Sequence, residues 1–187
     1  MDLKTVYFEH PGSGNTEATL QVAKHRAQEL GVKNIIVAST TGATAVRAMD
    51  IFEGLRVIVV THVTGLHDPN VQEFTEKNHQ IVESKGGRIL TATHAFGGLS
   101  RAIRKKYNTY VLGEVISDVL RIFGQGTKVA CEIALMAADS GLVSTEEDVI
   151  TITGSNVGAD TAIVLRPVNT HDFFDLKIKE ILCKPHF

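Results

Sequence analysis

Short runs of branched apolar residues alternate along this chain with longer segments whose apolar positions recur every three or four residues. The runs at 35–37 and 57–60 are apolar on both faces, which is typical of central strands in a parallel sheet that is covered by helices on either side. Segment 16–30, which precedes both runs, carries its apolar residues at helical spacing. The pattern therefore predicts alternating strands and helices.

This alternation predicts one α/β domain over residues 1–187, a three-layer α/β/α sandwich around a mostly parallel sheet of five to six strands. We expect the helix at 127–140 to be buried, because it is apolar nearly all round. We expect segment 168–187 to be a tail that packs on the body. The predicted strands are 5–8, 34–38, 56–61, 88–91, 149–153 and 162–166, and the predicted helices end near 30, 54, 84, 107, 123 and 140.

Five segments rich in glycine, hydroxyl and histidine side chains follow predicted strands, at 9–16, 39–44, 62–68, 93–98 and 154–161. Ligands of open parallel sheets bind beyond the carboxyl ends of the strands. We therefore expect these five loops to meet at one edge of the sheet and to form a binding site there.

Segment 39–44, Ser-Thr-Thr-Gly-Ala-Thr, is the central loop of this predicted site, because it joins a buried strand to a helix. The start of a helix has unpaired amides and the positive end of the helix dipole, and hydroxyls beside it favour a phosphate or another anion. The alternative is that one of these hydroxyls only caps the helix.

Two glycine-rich turns allow the same two interpretations. The first contains Gly12, Asn15 and Thr16, and it matches neither a dinucleotide fingerprint nor a P-loop. The second is segment 154–161, which is either an anion site or a wide hairpin whose glycines serve turn geometry. Gly97-Gly98 could expose amides toward an anion, and the basic residues that follow are predicted to form a solvated helix face.

Three histidines, His10, His62 and His94, follow three different strands. They are surface residues, metal ligands together with His67 and Asp68, or proton carriers. No local spacing resembles a known zinc motif, so the sequence predicts no metal site.

Composition excludes several classes of function. The formal net charge is −2 with no long basic stripe, which argues against nucleic acid as a partner, and no apolar run is long enough for a membrane span. The beginning of the chain lacks the layout of a signal peptide, so we expect a cytoplasmic protein. Cys131 and Cys183 are the only cysteines, and Cys131 lies in an apolar helix, which predicts a reduced core thiol.

The loops at 39–44 and 154–161, with the strand after the second, resemble the phosphate loop and the effector-site loop of the pyruvate kinase C-terminal domain. The resemblance implies a sheet in the order 3-2-1-4-5 with an antiparallel last strand. It also implies that Ser39, Thr41, Gly42 and Thr44 hold a phosphate. The basic residue often found within that loop is missing, which favours a ligand with a single phosphate. The catalytic barrel of pyruvate kinase is not among these 187 residues, so we expect no pyruvate kinase activity.

Three functions follow from these observations. The first is a domain that binds a phosphorylated ligand, with flavin mononucleotide (FMN) as the expected cofactor and its ring in the mouth between the first and fourth strands. The second is an enzyme acting on a phosphorylated metabolite, with His62 or His94 as proton carrier and Glu9 as its partner. The third is a regulatory subunit, and the sequence allows a homo-oligomer without locating its interface. The residues expected to contact the ligand are Gly12, Asn15, Thr16, Ser39, Thr40, Thr41, Gly42, Thr44, Thr61, His62, His94, Gly97, Gly98, Gly154, Gly158, Asp160 and Thr161.

Overall fold

The computed structural model describes residues 4–186; residues 1–3 of the predicted N-terminal segment and residue 187 of the predicted tail lie outside this range. Within it, no helix is both long and apolar enough to cross a bilayer. The strands are β1 (Val6–Phe8), β2 (Asn34–Ala38), β3 (Arg56–Val60), β4 (Arg88–Leu90), β5 (Val149–Thr153), β6 (Thr161–Arg166) and β7 (Lys177–Pro185). The helices are α1 (Thr16–Leu30), α2 (Ala43–Ile51), α3 (Glu76–Ser84), α4 (Gly98–Tyr107), α5 (Leu112–Arg121) and α6 (Gln125–Asp139), with 3-10 turns at Ser13–Asn15 and Thr170–Asp175.

The strands form one sheet in the order β1-β7-β6-β5-β2-β3-β4. Strands β5, β2, β3 and β4 pair in parallel, and β6 pairs antiparallel with β5. When counting starts at β2, the five strands from β4 to β6 have the order 3-2-1-4-5 with an antiparallel last strand. The order that the resemblance implies is therefore confirmed for this five-stranded core, and β7 and β1 extend it.

The expected tail at 168–187 contains a strand that the sequence did not predict. Strand β7 pairs antiparallel with β6 and parallel with β1, so it connects β1 to the core. Its first half carries Lys177, Lys179 and Glu180, which hide the apolar pattern of a strand. The sequence placed a flavin ring between the first and fourth strands. These strands, β1 and β4, form the two opposite edges of the sheet, so a ring cannot lie between them. In the five-stranded core, by contrast, the first and fourth strands are β2 and β5, which are neighbours.

Helices cover both faces of the sheet, as predicted. On one face, residues of α1, α2 and α3 such as Leu20, Ala48 and Val82 share a buried cluster with the inward side chains of β2 and β5. On the other face, α6 packs on β2, β3 and β6. Helix α6 is buried along nearly its whole length, which confirms the expectation from its apolar composition.

Helix α5 differs from α6 because much of its apolar side faces outward. Leu112 is 70% exposed, Val115 50% and Val119 53%, and Ile122 just beyond the helix is 69% exposed. The sequence predicted an apolar helix here but could not show that its apolar side is largely left exposed by the rest of residues 4–186. The homo-oligomer that the sequence allows stays a prediction.

All five polar loops lie at the same edge of the sheet. Strands β2, β3, β4 and β5 are parallel to one another. Strand β6 is antiparallel to both β5 and β7, so β7 runs in the direction of β5. Strand β1 is parallel to β7 and therefore runs in this direction as well. The loops that follow these strands therefore meet at the carboxyl edge, as the sequence predicted.

Candidate functional site

One cleft of about 740 Å³ opens at the carboxyl edge of the sheet. Each of the five loops contributes to its wall, for example through Ser13, Thr40, His62, His94 and Gly158. Pockets of a few hundred to a thousand cubic ångströms are typical small-molecule sites. The convergence of the loops thus produces a cavity of the size that a cofactor or metabolite requires.

The loop at 39–44 both caps a helix and borders the cleft. Ser39 is buried, and its Oγ accepts a hydrogen bond from the amide of Ala45 at 3.3 Å, as in a helix cap. Thr40 and Thr44 line the cleft, and α2 begins between them at Ala43. The positive end of the α2 dipole therefore lies at the cleft wall. The two interpretations of this loop are compatible, because capping uses Ser39 and leaves the two threonines.

Thr41 and Gly42 hold this loop against α3. The carbonyl of Thr41 accepts hydrogen bonds from the side chain of Asn78 at 2.9 Å and from the amide of Thr75 at 3.3 Å. Gly42 has a φ of 95°, and a Cβ there would lie 2.5 Å from the Cβ of Asn78. Only glycine fits this conformation and this contact.

His62 is held between a carboxylate and a hydroxyl. Its Nδ1 lies 2.7 Å from Oε2 of Glu73, and its Nε2 lies 3.4 Å from Oγ1 of Thr40. The sequence proposed Glu9 as the acidic partner of a catalytic histidine. Glu9 is exposed after the edge strand β1 and does not line the cleft, and Glu73 pairs with His62 instead.

His94 lies next to His62, with 5.7 Å between the ring centroids. Its Nε2 accepts a hydrogen bond from the amide of Val63 at 3.3 Å, which requires an unprotonated nitrogen. Burial lowers the pKa of His94. The negative charge of Glu132 raises this pKa and the positive charge of Arg101 lowers it, and the net shift is downward. His94 is therefore a neutral imidazole at the floor of the cleft at neutral pH.

The amides of Gly97 and Gly98 do not face the cleft. Both donate to the carbonyl of His94, at 3.1 Å and 3.0 Å, as α4 begins. Neither glycine lines the cleft. The basic residues of α4 are exposed, as predicted, and one of them, Arg101, reaches the cleft wall.

Lys128 and Glu132 form a buried ion pair one turn apart on α6, where the cleft meets the helix. Glu132 also accepts a hydrogen bond from the amide of Phe96 at 3.0 Å, and the Lys128 ammonium lies 5.5 Å from the centre of the Phe96 ring. Burial lowers the pKa of Lys128, although Glu132 opposes this shift. Two charges on a buried, otherwise apolar helix need a reason, and bordering the cleft supplies one.

Asp160 fastens two of the loops together from below the cleft. It is fully buried, and its Oδ2 accepts hydrogen bonds from the amides of Gly12 at 2.9 Å and Ser155 at 3.1 Å. Its Oδ1 accepts from the hydroxyl of Thr161 at 2.9 Å. Gly12, Asp160 and Thr161 thus shape the walls without lining them.

Thr16 makes a second connection between the same loops. Its Oγ1 accepts a hydrogen bond from the amide of Ala159 at 3.0 Å. Gly158 has a φ of 77°, and a Cβ there would lie 2.5 Å from Oγ1 of Thr16. The nearby Asn15 donates its side-chain amide to the carbonyl of His10 at 2.7 Å, which braces the turn before α1.

The structure thus divides the predicted contact residues into those at the cleft wall and those behind it. The hydroxyl of Thr61, for example, lies at the wall and also bonds to the hydroxyl of Thr91 at 2.7 Å. Lining the cleft are Thr16, Ser39, Thr40, Thr41, Thr44, Thr61, His62, His94, Gly154 and Gly158, and behind it lie Gly12, Asn15, Gly42, Gly97, Gly98, Asp160 and Thr161.

The cleft is richer in positive charge than the whole chain. Four basic side chains line it, Arg47, Arg101, Arg121 and Lys128, against two carboxylates, Glu73 and Glu132. The chain as a whole has a formal net charge of −2. Only the position of Lys128 four residues before Glu132 on an apolar helix was a usable sequence signal; the others come from separate loops and helices.

The sequence matches the family model described as the pyruvate kinase alpha/beta domain over residues 17–165. This match spans most of the chain. The chain belongs to the pyruvate kinase alpha/beta domain family. The matched region includes the five-stranded core except for Arg166, the last residue of β6, while β1 and β7 lie outside it.

Solved structures of pyruvate kinases are similar to this family member in part of their length. A pyruvate kinase from Cryptosporidium parvum is 16% identical with a TM-score of 0.43, and the alignment covers 82% of this chain and 23% of that chain. A Cryptosporidium parvum pyruvate kinase in complex with ADP is 14% identical with a TM-score of 0.39, and the alignment covers 89% and 23%. The chain therefore spans about a quarter of the length of these enzymes.

Proposed function

We propose that this domain binds a phosphorylated small molecule in the cleft, with FMN as the expected ligand. The observation that carries the proposal is the excess of basic side chains at a cleft whose wall includes the start of α2. Both features favour an anion, and they are separate in origin, because one comes from side chains and the other from aligned peptide dipoles.

In this proposal the phosphate binds at the loop 39–44. Thr40 and Thr44 present hydroxyls at the wall, and the first amides of α2 have no acceptor within the helix. Arg47 lies three residues after Thr44, which puts both on the same side of α2. Arg47 is exposed and lines the cleft, so it can approach a phosphate without leaving a buried pair.

The remainder of the cleft suits a flat, partly apolar group. Leu66, Val129, Ile133, Met136 and Val157 line it together with the polar loops. A mixture of apolar walls and a few polar groups is what small-molecule sites offer to an aromatic ring system. The flavin ring would therefore lie toward α6, away from the phosphate loop.

Comparing FMN with riboflavin tests the proposal, because the two differ only in the phosphate. We expect wild-type protein to quench flavin fluorescence on binding FMN, and to bind riboflavin more weakly. Arg47→Gln should weaken FMN binding by about ten- to a hundredfold, the equivalent of one charge-assisted hydrogen bond, and leave riboflavin binding unchanged. Arg88→Gln is the matched control, since Arg88 is an exposed arginine at the first residue of β4, on the opposite edge of the sheet.

Two results would count against the proposal. Protein that stays colourless after incubation with FMN refutes the flavin part. The phosphate part fails if AMP and ribose 5-phosphate also give no thermal shift, or if Arg47→Gln and Arg88→Gln have equal effects.

An enzyme acting on a phosphorylated metabolite is the second candidate, because His62 is oriented by Glu73 at 2.7 Å. A histidine fixed by a carboxylate is the arrangement of a general base. If a metabolite identified by mass spectrometry of the purified protein is turned over, replacing His62 and His94 with alanine should abolish turnover and leave ligand binding largely intact. Joint loss of turnover and binding would contradict this role.

A further inference from the structure

We propose that His62, His67 and Glu73 form a site for a divalent transition-metal ion, with Zn²⁺ as the best match, at the mouth of the cleft. One ligand atom of each residue lies within 4.8 Å of those of the other two. Within this cluster, Nδ1 of His62 is 2.7 Å from Glu73, and the rings of His62 and His67 are 6.1 Å apart at 61°. All three side chains line the cleft.

The donor set matches zinc chemistry. Two imidazole nitrogens and one carboxylate oxygen are the ligands of catalytic zinc sites, which keep a fourth position for water or substrate. With metal–ligand bonds of about 2.1 Å, tetrahedral geometry separates ligand atoms by about 3.4 Å. The separation of 2.7 Å between His62 Nδ1 and Glu73 Oε2 is shorter than this distance, and no pair of the three ligand atoms is more than 4.8 Å apart, so side-chain movements on the order of 1 Å would complete the site.

A hydrogen bond already joins Glu73 and His62 at the place where an ion would bind. Nδ1–H of His62 donates to the carboxylate, and a metal ion would replace that proton. The other ring nitrogen of His62 faces Oγ1 of Thr40 at 3.4 Å. In this tautomer Nε2 accepts from that hydroxyl; with an ion on Nδ1 the ring proton would be on Nε2, which would then donate to Oγ1 of Thr40, the usual support that fixes the ring of a ligating histidine.

The three donors belong to one loop, 61–75, which joins β3 to α3. A connection of this length without helix or strand is uncommon unless it has a function. The loop is braced internally: the amide of Gly65 donates to the carbonyl of Val71 at 2.9 Å, and the side chain of Gln72 donates to the carbonyl of His62 at 3.0 Å. These bonds hold the donors close to one another before any ion binds.

Access and charge also fit. The side chains of His62 and Glu73 are 35% and 30% exposed, and His67 is exposed, so a hydrated ion can reach them. One carboxylate would leave a net positive charge on the bound ion. This charge would add to the basic character of the cleft, although the metal site does not depend on the proposed phosphate ligand.

The test uses the full chain and metal alone. After chelation and dialysis, Co²⁺ is titrated with its visible absorption as the signal, and Zn²⁺ is then measured by calorimetry. We expect one equivalent to bind with a dissociation constant in the micromolar range or below. His67→Ala and Glu73→Gln should each weaken binding at least tenfold, since loss of a mere supporting partner already costs that much.

The chain offers a matched control pair in α3, where Nδ1 of His79 lies 3.3 Å from Oε2 of Glu83. Neither of these two residues lines the cleft. His79→Ala and Glu83→Gln should leave affinity unchanged. Millimolar binding in the wild type, or full affinity in a folded His67→Ala variant as judged by circular dichroism, overturns the site. Equal losses in the α3 variants overturn it too. FMN binding is measured separately, so its failure does not affect this result.

Discussion

Asp160→Ala should lower the free energy of unfolding by about 2–4 kcal/mol, because Asp160 accepts hydrogen bonds from the two loops that Thr16 also connects. The carboxylate is fully buried and accepts from the amides of Gly12 and Ser155 and from the hydroxyl of Thr161. The alanine methyl group accepts nothing. The amides of the half-buried residues Gly12 and Ser155 then lose their acceptor, at about 1–2 kcal/mol each, while the hydroxyl can rotate toward another oxygen.

Asp160→Asn should cost only about 1 kcal/mol. The side-chain oxygen of asparagine can accept from the amides of Gly12 and Ser155, and its NH2 group can donate to the hydroxyl of Thr161, which is able to accept. All three bonds persist without charge assistance. Their weakening is partly offset because an uncharged amide is easier to bury than a carboxylate.

Urea denaturation measures both values. Circular dichroism is the signal, because the chain has no tryptophan whose fluorescence could report unfolding. Asp175→Asn, at an exposed aspartate, is the control and should lie within about 0.5 kcal/mol of wild type. Equal losses in the alanine and asparagine variants would refute the hydrogen-bond argument. A loss below about 1 kcal/mol in the alanine variant would show that the loops are held by other contacts.

Two further predictions concern titratable groups. Burial raises the pKa of Cys131 to about 12 and that of Cys183 to about 11, so neither thiol should react with a disulfide reagent at pH 8 until the protein is unfolded, and rapid reaction of native protein would contradict their burial. Burial also raises the pKa of Asp148, but hydrogen bonds from Lys179 and Arg166 outweigh it and hold that pKa below 3.8, its ordinary value. A carboxyl pKa that folding lowers contributes stability that is fully present above pH 3.8 and is lost below it, as the pH falls through the lowered pKa of the folded state. Asp148→Asn should therefore cost about 0.5–1 kcal/mol at pH 7 in urea denaturation and progressively less below pH 3.8, whereas a constant difference would refute the ion-pair argument.

Much of the fold could be predicted because local pattern and tertiary environment agree. Segment 34–38 is apolar at most of its positions, and β2 is the central strand of the core, buried on both faces. Gly31 ends α1 in the left-handed conformation that a terminal glycine favours. Strand β7 could not be predicted, because the charged residues in its first half hide the apolar pattern of a strand. This half becomes a strand by pairing with β6, which no local pattern in the sequence indicates.

The candidate site was predictable only at the level of loops. Residues directly after strands, such as Thr40, His62 and His94, were expected at one edge, and they lie there. The partner of His62 was not predictable, because Glu73 comes eleven residues later in an irregular loop whose path no local pattern specifies. Glu9, chosen for its place after the first strand, lies at the edge of the sheet because β1 pairs with β7.

The sequence by itself determined the alternation of strands and helices, the shared direction of the strand ends, and the hydroxyl-rich loop at 39–44. These follow from hydrophobic periodicity and turn chemistry, which act over neighbouring residues. Only the tertiary structure decided which side chains meet: Glu73 with His62 and His67, and Asp160 with Gly12. The first contact depends on the path of an irregular loop and the second joins residues 148 positions apart, so both depend on strand order and loop packing and not on a local pattern.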